Sequence, residues 1–402
     1  MSIYSTVALP FVVIWSKKTD DFIKLAEAEE NESIKEYLKC LAIYRAHLTA
    51  NNPRYNVPIS TKTHTDLLAR LNVLINKDDK DLGLEFKVAI LNLQGLVQQY
   101  IGNTEEAKKI FTQARQMKGI GLLGFSAISS NMNFIFVEEK NEAAFLTCVK
   151  EIDERIAEEE KSGSLKDEET KQCLASVYAS IAYRYRKFEK LSHGKKCFEK
   201  AASLWPQNNV IANNRAIFLS KLNNFSALKE AEEILAKLYD NAAQNHLFVT
   251  LYYRADVSVK LAAFALEKDM QYKTYVNTAE ECLIAAERAA NKNTDYSSNY
   301  KIKALSRVHL QRSNLHLFEA VSSPFLCRNF PFLLSGEHAK MAKNLREKVE
   351  NDKTKDKFKE KFALCKEPER NDSFSSLFFR RQRFLDEEKQ ELVASKAESL
   401  KL

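Results

Sequence analysis

Residues 175–208 read ASVYASIAYRYRKFEKLSHGKKCFEKAASLWPQN. Counting Ala175 as position 1, Tyr178 stands at 4, Ala182 at 8, Tyr185 at 11, Gly194 at 20, Phe198 at 24, Ala201 at 27 and Pro206 at 32. Apolar residues at this spacing describe two amphipathic helices joined by a short turn. The small residues Ala182 and Gly194 let the two helices cross closely, and the Phe198 ring fills the groove left by a neighbouring pair. Pro206 ends the second helix, because proline has no N–H to donate and cannot continue it. Such a unit of about 34 residues is a tetratricopeptide-type helix pair, which buries its apolar face by stacking on further pairs.

The same offsets recur upstream in 87–118, KVAILNLQGLVQQYIGNTEEAKKIFTQARQMK. With Val88 as position 1, Gly95 falls at 8, Gly102 at 15, Ala107 at 20, Phe111 at 24 and Ala114 at 27. Downstream, 209–242 is a degenerate copy with Ala216 at position 8. Residues 119–157 and 245–290 read as further helix pairs, the latter with Ala279, Leu283 and Ala286 at helical spacing, and 300–320 reads as another first helix. The periods of 20–50 and 65–76 are helical as well. Two stretches break the pattern. Residues 51–64, NNPRYNVPISTKTH, carry two prolines and predict a loop, while 322–336, SSPFLCRNFPFLLSG, are apolar and proline-broken. The expected fold is therefore all-α, a superhelical solenoid of tetratricopeptide-type helix pairs. Its parts are an N-terminal helical segment and loop (1–64), the repeat array (65–321), and a capping or linker segment with charged C-terminal helices (322–402).

Composition agrees with this architecture. A chain of 402 residues exceeds one ordinary compact core, and 9 Gly with 7 Pro are too few for the many turns of sandwiches or propellers. The net charge of +7 permits a polyanionic partner without requiring one. The cysteines at 40, 148, 173, 197, 282, 327 and 365 are odd in number and scattered, without a C-x-x-C pair, which predicts free thiols in a reducing, cytosolic compartment. The apolar stretch 7–15 is about half a membrane span and no basic residue precedes it, so no integral membrane segment is expected and the stretch reads as buried or partner-bound. P-loop, G-x-S-x-G and H-E-x-x-H signatures do not occur, which points away from an enzyme and implies no cofactor. Of the histidines, His309 and His316 can share one helix face, but they lack the close spacing and third ligand of a metal site.

Binding is what remains. First helices of such repeats line a concave side, and there the sequence offers Asn92 and Gln99, then Tyr183, Arg186 and Lys187, then Asn213 and Lys221. The run LYYRAD adds Tyr252, Tyr253 and Arg254, and SRVHLQR adds Arg307 and Arg312. Rings interleaved with cations suit single-stranded RNA, where rings stack on bases and cations meet phosphates. Equally, the tyrosines can pack between repeats with the cations solvated. The tail SSLFFRRQRFL at 375–385 combines the same residue types, and either docks a C-terminal helix or meets an anionic partner.

Three stretches resemble the interferon-induced proteins with tetratricopeptide repeats: FKVAILNLQGLVQQYIGNTEEAKKIF at 86–111, KKCFEKAASLWPQNN at 195–209 and ANNRAIFLSKLNNF at 212–225. LKCLAIY at 38–44 is a fainter echo, and the likeness runs from about residue 35 to 290. That family comprises cytosolic antiviral effectors. Several of them hold the 5′ end of foreign RNA in a basic tunnel, and others act through protein partners. The resemblance places Asn213 near the RNA and Arg215 where the family has a tyrosine. In SNMNFIFVEEK at 130–140, Phe134 stands for a family tryptophan and Glu138 falls near a family cation. The RNA-binding candidates are thus Phe134, Arg186, Lys187, Asn213, Arg215, Tyr252 and Arg254. The alternative is a protein-binding or self-associating scaffold that uses the groove or the apolar stretch near 325–334.

Overall fold

The computed structural model describes residues 19–50, 61–77, 83–162, 168–222, 224–240, 244–267, 272–293, 298–322 and 335–344. Among these there is no β-strand. The helices are α1 (Thr19–Glu27), α2 (Glu32–Ala50), α3 (Thr61–Ile75), α4 (Leu84–Tyr100), α5 (Thr104–Arg115), α6 (Leu122–Glu138), α7 (Glu142–Ser162), α8 (Glu168–Lys187), α9 (Leu191–Leu204), α10 (Asn209–Leu219), α11 (Phe225–Asp240), α12 (Gln244–Glu267), α13 (Lys273–Lys292) and α14 (Ser298–Ser322). A further helical segment covers 335–344. The protein is all-helical, with adjacent helices packed in pairs. The chain divides into two compact units, one comprising Met1–Leu222, Glu233–Thr250 and Lys292–Lys301, the other Asn223–Glu232, Leu251–Asn291 and Ile302–Leu402.

In the first unit each helix from α1 to α10 packs on a chain neighbour, and α2, α4, α6, α8 and α10 also pack each on the next. Three of the helix–helix turns share one geometry. Gly102, Lys140 and Glu189 have positive φ of 91°, 56° and 59°. In each turn the following amide reaches back five residues: Asn103 to Gln98 (2.9 Å), Asn141 to Phe136 (2.8 Å) and Lys190 to Tyr185 (3.0 Å). This is the Schellman closure, which satisfies carbonyls that a helix end leaves unpaired. Gly102 suits the left-handed conformation, whereas Lys140 and Glu189 each adopt it against a cost of about 1 kcal/mol. The Lys140 turn aligns α6 and α7 with the other two pairs and places Asn133 where Gly95 and Ala182 stand.

The small residues occupy the tightest crossings. A Cβ on Gly95 would lie 2.7 Å from Cδ1 and Cζ of Phe111, and one on Gly194 would lie 2.9 Å from Phe218 Cε2 and 3.0 Å from the Ala182 carbonyl oxygen. Phe198 and Phe218 pack ring on ring at 5.2 Å, and Tyr183 meets Phe198 edge-on at 5.5 Å. In a solvent-facing helix, Gly→Ala gains about 1 kcal/mol of helix propensity. For Gly194→Ala we expect instead a net loss of about 1 kcal/mol, because Phe218 is fully buried and cannot step aside. Urea unfolding followed by circular dichroism checks this; a net gain would show that the crossing is loose.

The loop expected over 51–64 ends earlier at its far side, since α3 begins at Thr61. His64 is buried with its ring 5.0 Å from that of Tyr100, a contact that carries the helix start upstream. Residues 7–15, 323–334 and 345–402 lie outside the described residues, and with them the apolar stretch, most of the proline-broken segment and the basic-aromatic tail.

Candidate nucleic-acid interface

The last turn of α8 reads YRYRK, and Arg184 is the cation in it that turns toward α6. Its guanidinium donates to the hydroxyl of Ser180, one turn back, and reaches Ser130 Oγ of α6 at 3.5 Å. The guanidinium carbon sits 5.9 Å from the centre of the Phe134 ring. Arg184 makes no ion pair among the described residues, and its Nε is buried without a hydrogen-bond partner. Burial pushes its pKa down to about 10, so the group remains a cation at neutral pH but a poorly solvated one. A desolvated cation that meets only hydroxyls and a ring face has unused capacity for an anion.

Its surroundings are polar beneath and aromatic above. Phe134 is 43% exposed, which is unusual for a ring in this array. Asn131 of α6 donates to Asn92 Oδ1 of α4 at 2.8 Å, while Asn92 Nδ2 is buried without a partner. Asn133 is fully buried with neither amide atom hydrogen-bonded, and the hydroxyls of Ser126 and Ser129 are likewise orphaned. Together these side chains form a polar seam inside α6, a helix whose residues are buried on nearly every side.

The sequence-derived candidates fall into different situations. Arg186 is partly exposed and Lys187 exposed, and neither makes an ion pair among the described residues. Asn213 on α10 accepts a hydrogen bond from Thr250 Oγ1 at 3.4 Å, and Arg215 is partly buried. Glu138 is exposed at the end of α6, and partial desolvation raises its carboxyl pKa. Sequence reasoning passed over Arg184, because it lies at position 10 of its repeat, outside the offsets taken to line the concave side. Its signal was the Ser180–Arg184 pair, one turn apart.

In the second unit three cations are matched by acids. Arg254 donates to Glu232 Oε1 through Nε at 3.2 Å and through its terminal nitrogen at 3.0 Å. Arg312 contacts Glu287 at 2.6 Å and Glu280 at 3.7 Å, and Lys260 contacts Asp256 at 2.8 Å. Tyr252 and Tyr253 meet edge-on at 5.4 Å.

Cys40, Cys148, Cys173, Cys197 and Cys282 are buried free thiols. Desolvation pushes Cys40, Cys173 and Cys197 up to about 12 and Cys282 to about 11, so none is a thiolate at neutral pH. Among the described residues, no cluster of three or more potential ligands could hold a metal ion, and no helix is long and apolar enough to cross a membrane. Fold and site define an all-helical protein of packed helix pairs with a desolvated arginine beside an exposed ring. No family model and no curated protein matches this chain.

Proposed function

We propose that the chain is a tetratricopeptide-type solenoid that binds single-stranded RNA on the face shared by α6 and α8, and that it acts in the cytosol in innate antiviral defence. Arg184 is the observation that carries this. It is a guanidinium without an acidic partner among the described residues, over an exposed Phe134 ring, the pairing of cation and ring that suits a phosphate and a base. Arg186 and Lys187 in the same last turn of α8 add to the positive field, and the partly buried Arg215 contributes from α10. The helix-on-helix stacking of α4, α6, α8 and α10 supports the solenoid, and the buried thiols support a reducing compartment. The antiviral role rests on the sequence resemblance. Binding, not catalysis, is the activity proposed.

The test is fluorescence anisotropy with a labelled single-stranded RNA, carrying a 5′-hydroxyl or a 5′-triphosphate, from low to physiological salt. Three phosphate contacts predict a log–log slope of about −2. Absence of binding at low salt would remove RNA from the proposal. In that event the second reading stands, a protein-binding scaffold, which the internally matched charges of Arg254 and Arg312 favour.

A further inference from the structure

Helix α14 from Ile302 onward and the segment 335–344, which both belong to the second unit, pair through an unusual set of contacts. Ser306 Oγ donates to the Ala342 carbonyl at 3.0 Å, His309 Nδ1 meets His338 Nδ1 at 3.1 Å, and Ser335 Oγ donates to the Ser313 carbonyl at 2.9 Å. Partners step backward along the segment as they step forward along α14, so the two helices run antiparallel. Little apolar surface holds them. Within the segment, Ala342 is the buried apolar residue, 2% exposed, whereas Gly336, Glu337, Lys340, Met341 and Lys343 face solvent. Polar contacts therefore decide whether the segment stays docked.

The histidines are central to that contact. The His309 and His338 ring centres are 5.3 Å apart with planes at 17°, yet their Nδ1 atoms are only 3.1 Å apart. Nitrogens this much closer than ring centres mean that the rings meet edge to edge. One Nδ1 must then carry the hydrogen and the other the lone pair. His316 lies on the other side of His338, with ring centres 5.4 Å apart. Seven helical residues rise about 10.5 Å, close to the two ring separations together, so His338 sits between His309 and His316. Charged groups face this row from every side. From α14 come Arg312 and Glu319, which contacts His316 Nδ1 at 2.9 Å. From α13 come Glu280 and Glu287, both engaged by Arg312. Glu337, Lys340 and Lys343 flank His338 on its own segment.

We propose that proton uptake by His338 releases the segment 335–344 from α14 as the pH falls toward 5. A proton on His338 places a cation between two imidazoles and beside Arg312, and Glu287, the nearest counter-charge, is already engaged. Burial, followed by His309, His316 and Arg312, pushes the docked pKa of His338 down to about 4, with Glu287 opposing. Burial lowers His309 as well. The sign follows directly. A histidine of ordinary pKa about 6.5 when undocked and about 4 when docked takes up a proton on release. Docking is therefore at full strength above about pH 6.5 and weakens as the pH falls toward 4. The two values imply ~30-fold weakening at pH 5, and partial exposure of the ring reduces this to about tenfold. Release uncovers the Ser306–Ser313 face of α14 and separates Lys340 and Lys343 from the unit.

Amide hydrogen exchange on the full chain between pH 7.5 and 5.0, with times scaled to the intrinsic exchange rate, tests this. Protection of 335–344 is expected to fall about tenfold while that of α13 holds, and His338→Gln is expected to flatten the pH response. Unchanged protection of 335–344, an equal fall in α13, or the same fall in His338→Gln would each overturn the proposal. Should that variant not dock at pH 7.5, the imidazole proton titration of His338 in the unaltered chain decides. A midpoint below about 5 supports the proposal, and one near 6.5 overturns it.

Discussion

Replacing Phe198 by alanine is expected to destabilise the first unit by about 3–5 kcal/mol. The ring is fully buried and touches its own helix pair and the helix after it: Tyr183 of α8 meets it edge-on at 5.5 Å and Phe218 of α10 lies at 5.2 Å. Neighbouring residues cannot close the cavity, because Gly194 and Ala182 already hold α8 and α9 at their closest approach. Helix pairs gain stability chiefly from their interfaces with neighbours, so loss of this ring loosens α8, α9 and α10 together. Urea unfolding gives the magnitude, and hydrogen exchange shows whether the three helices open as one. Lys196→Ala, at an exposed position on the same helix, should stay within about 0.5 kcal/mol. A loss for Phe198→Ala below about 1 kcal/mol would mean that the ring does not join the pairs.

Arg184→Ala is expected to weaken single-stranded RNA binding by about 10–100-fold, the range of one charge-assisted contact. The same substitution should leave stability unchanged or raise it, because it deletes a desolvated charge that has no acidic partner among the described residues. Arg254→Ala should do the reverse. It leaves Glu232 partly buried without its guanidinium, so stability falls, while RNA affinity changes by less than about threefold. Affinity and melting temperature measured on both variants separate the roles. If Arg184→Ala melts at a lower temperature and binds RNA normally, Arg184 is a structural residue.

Much of the array was legible because its packing relies on size. Gly95 and Phe111, and again Ala182, Gly194 and Phe198, stand at offsets where a larger or smaller side chain would not fit, and the close crossings bear out that reason. The pair α6–α7 kept no such register in the sequence. Asn133 replaces the small residue, and Lys140 adopts the left-handed turn that glycine would have advertised. Its place emerges only from backbone geometry, since a Schellman turn is a matter of φ and hydrogen bonds that most residue types can meet at modest cost. Residues 335–336 close the proline-broken stretch and 337–344 belong to the charged C-terminal region, and nothing in their composition shows that Ser335, His338 and Ala342 face α14.

The stretch 175–208 determined by itself that this chain is all-helical and built of pairs. Helical period and the need for small residues at crossings are local properties that residue spacing records. Which cations are available was a matter for tertiary structure. Arg184, Arg186 and Lys187 lie within one turn of α8, and Arg254 lies in an equally basic-aromatic run, so they look alike in one dimension. Folding brings Glu232 to Arg254 and only hydroxyls and a ring to Arg184. An ion pair joins residues distant in sequence, and it is set by how helices stack, which spacing along one helix does not encode.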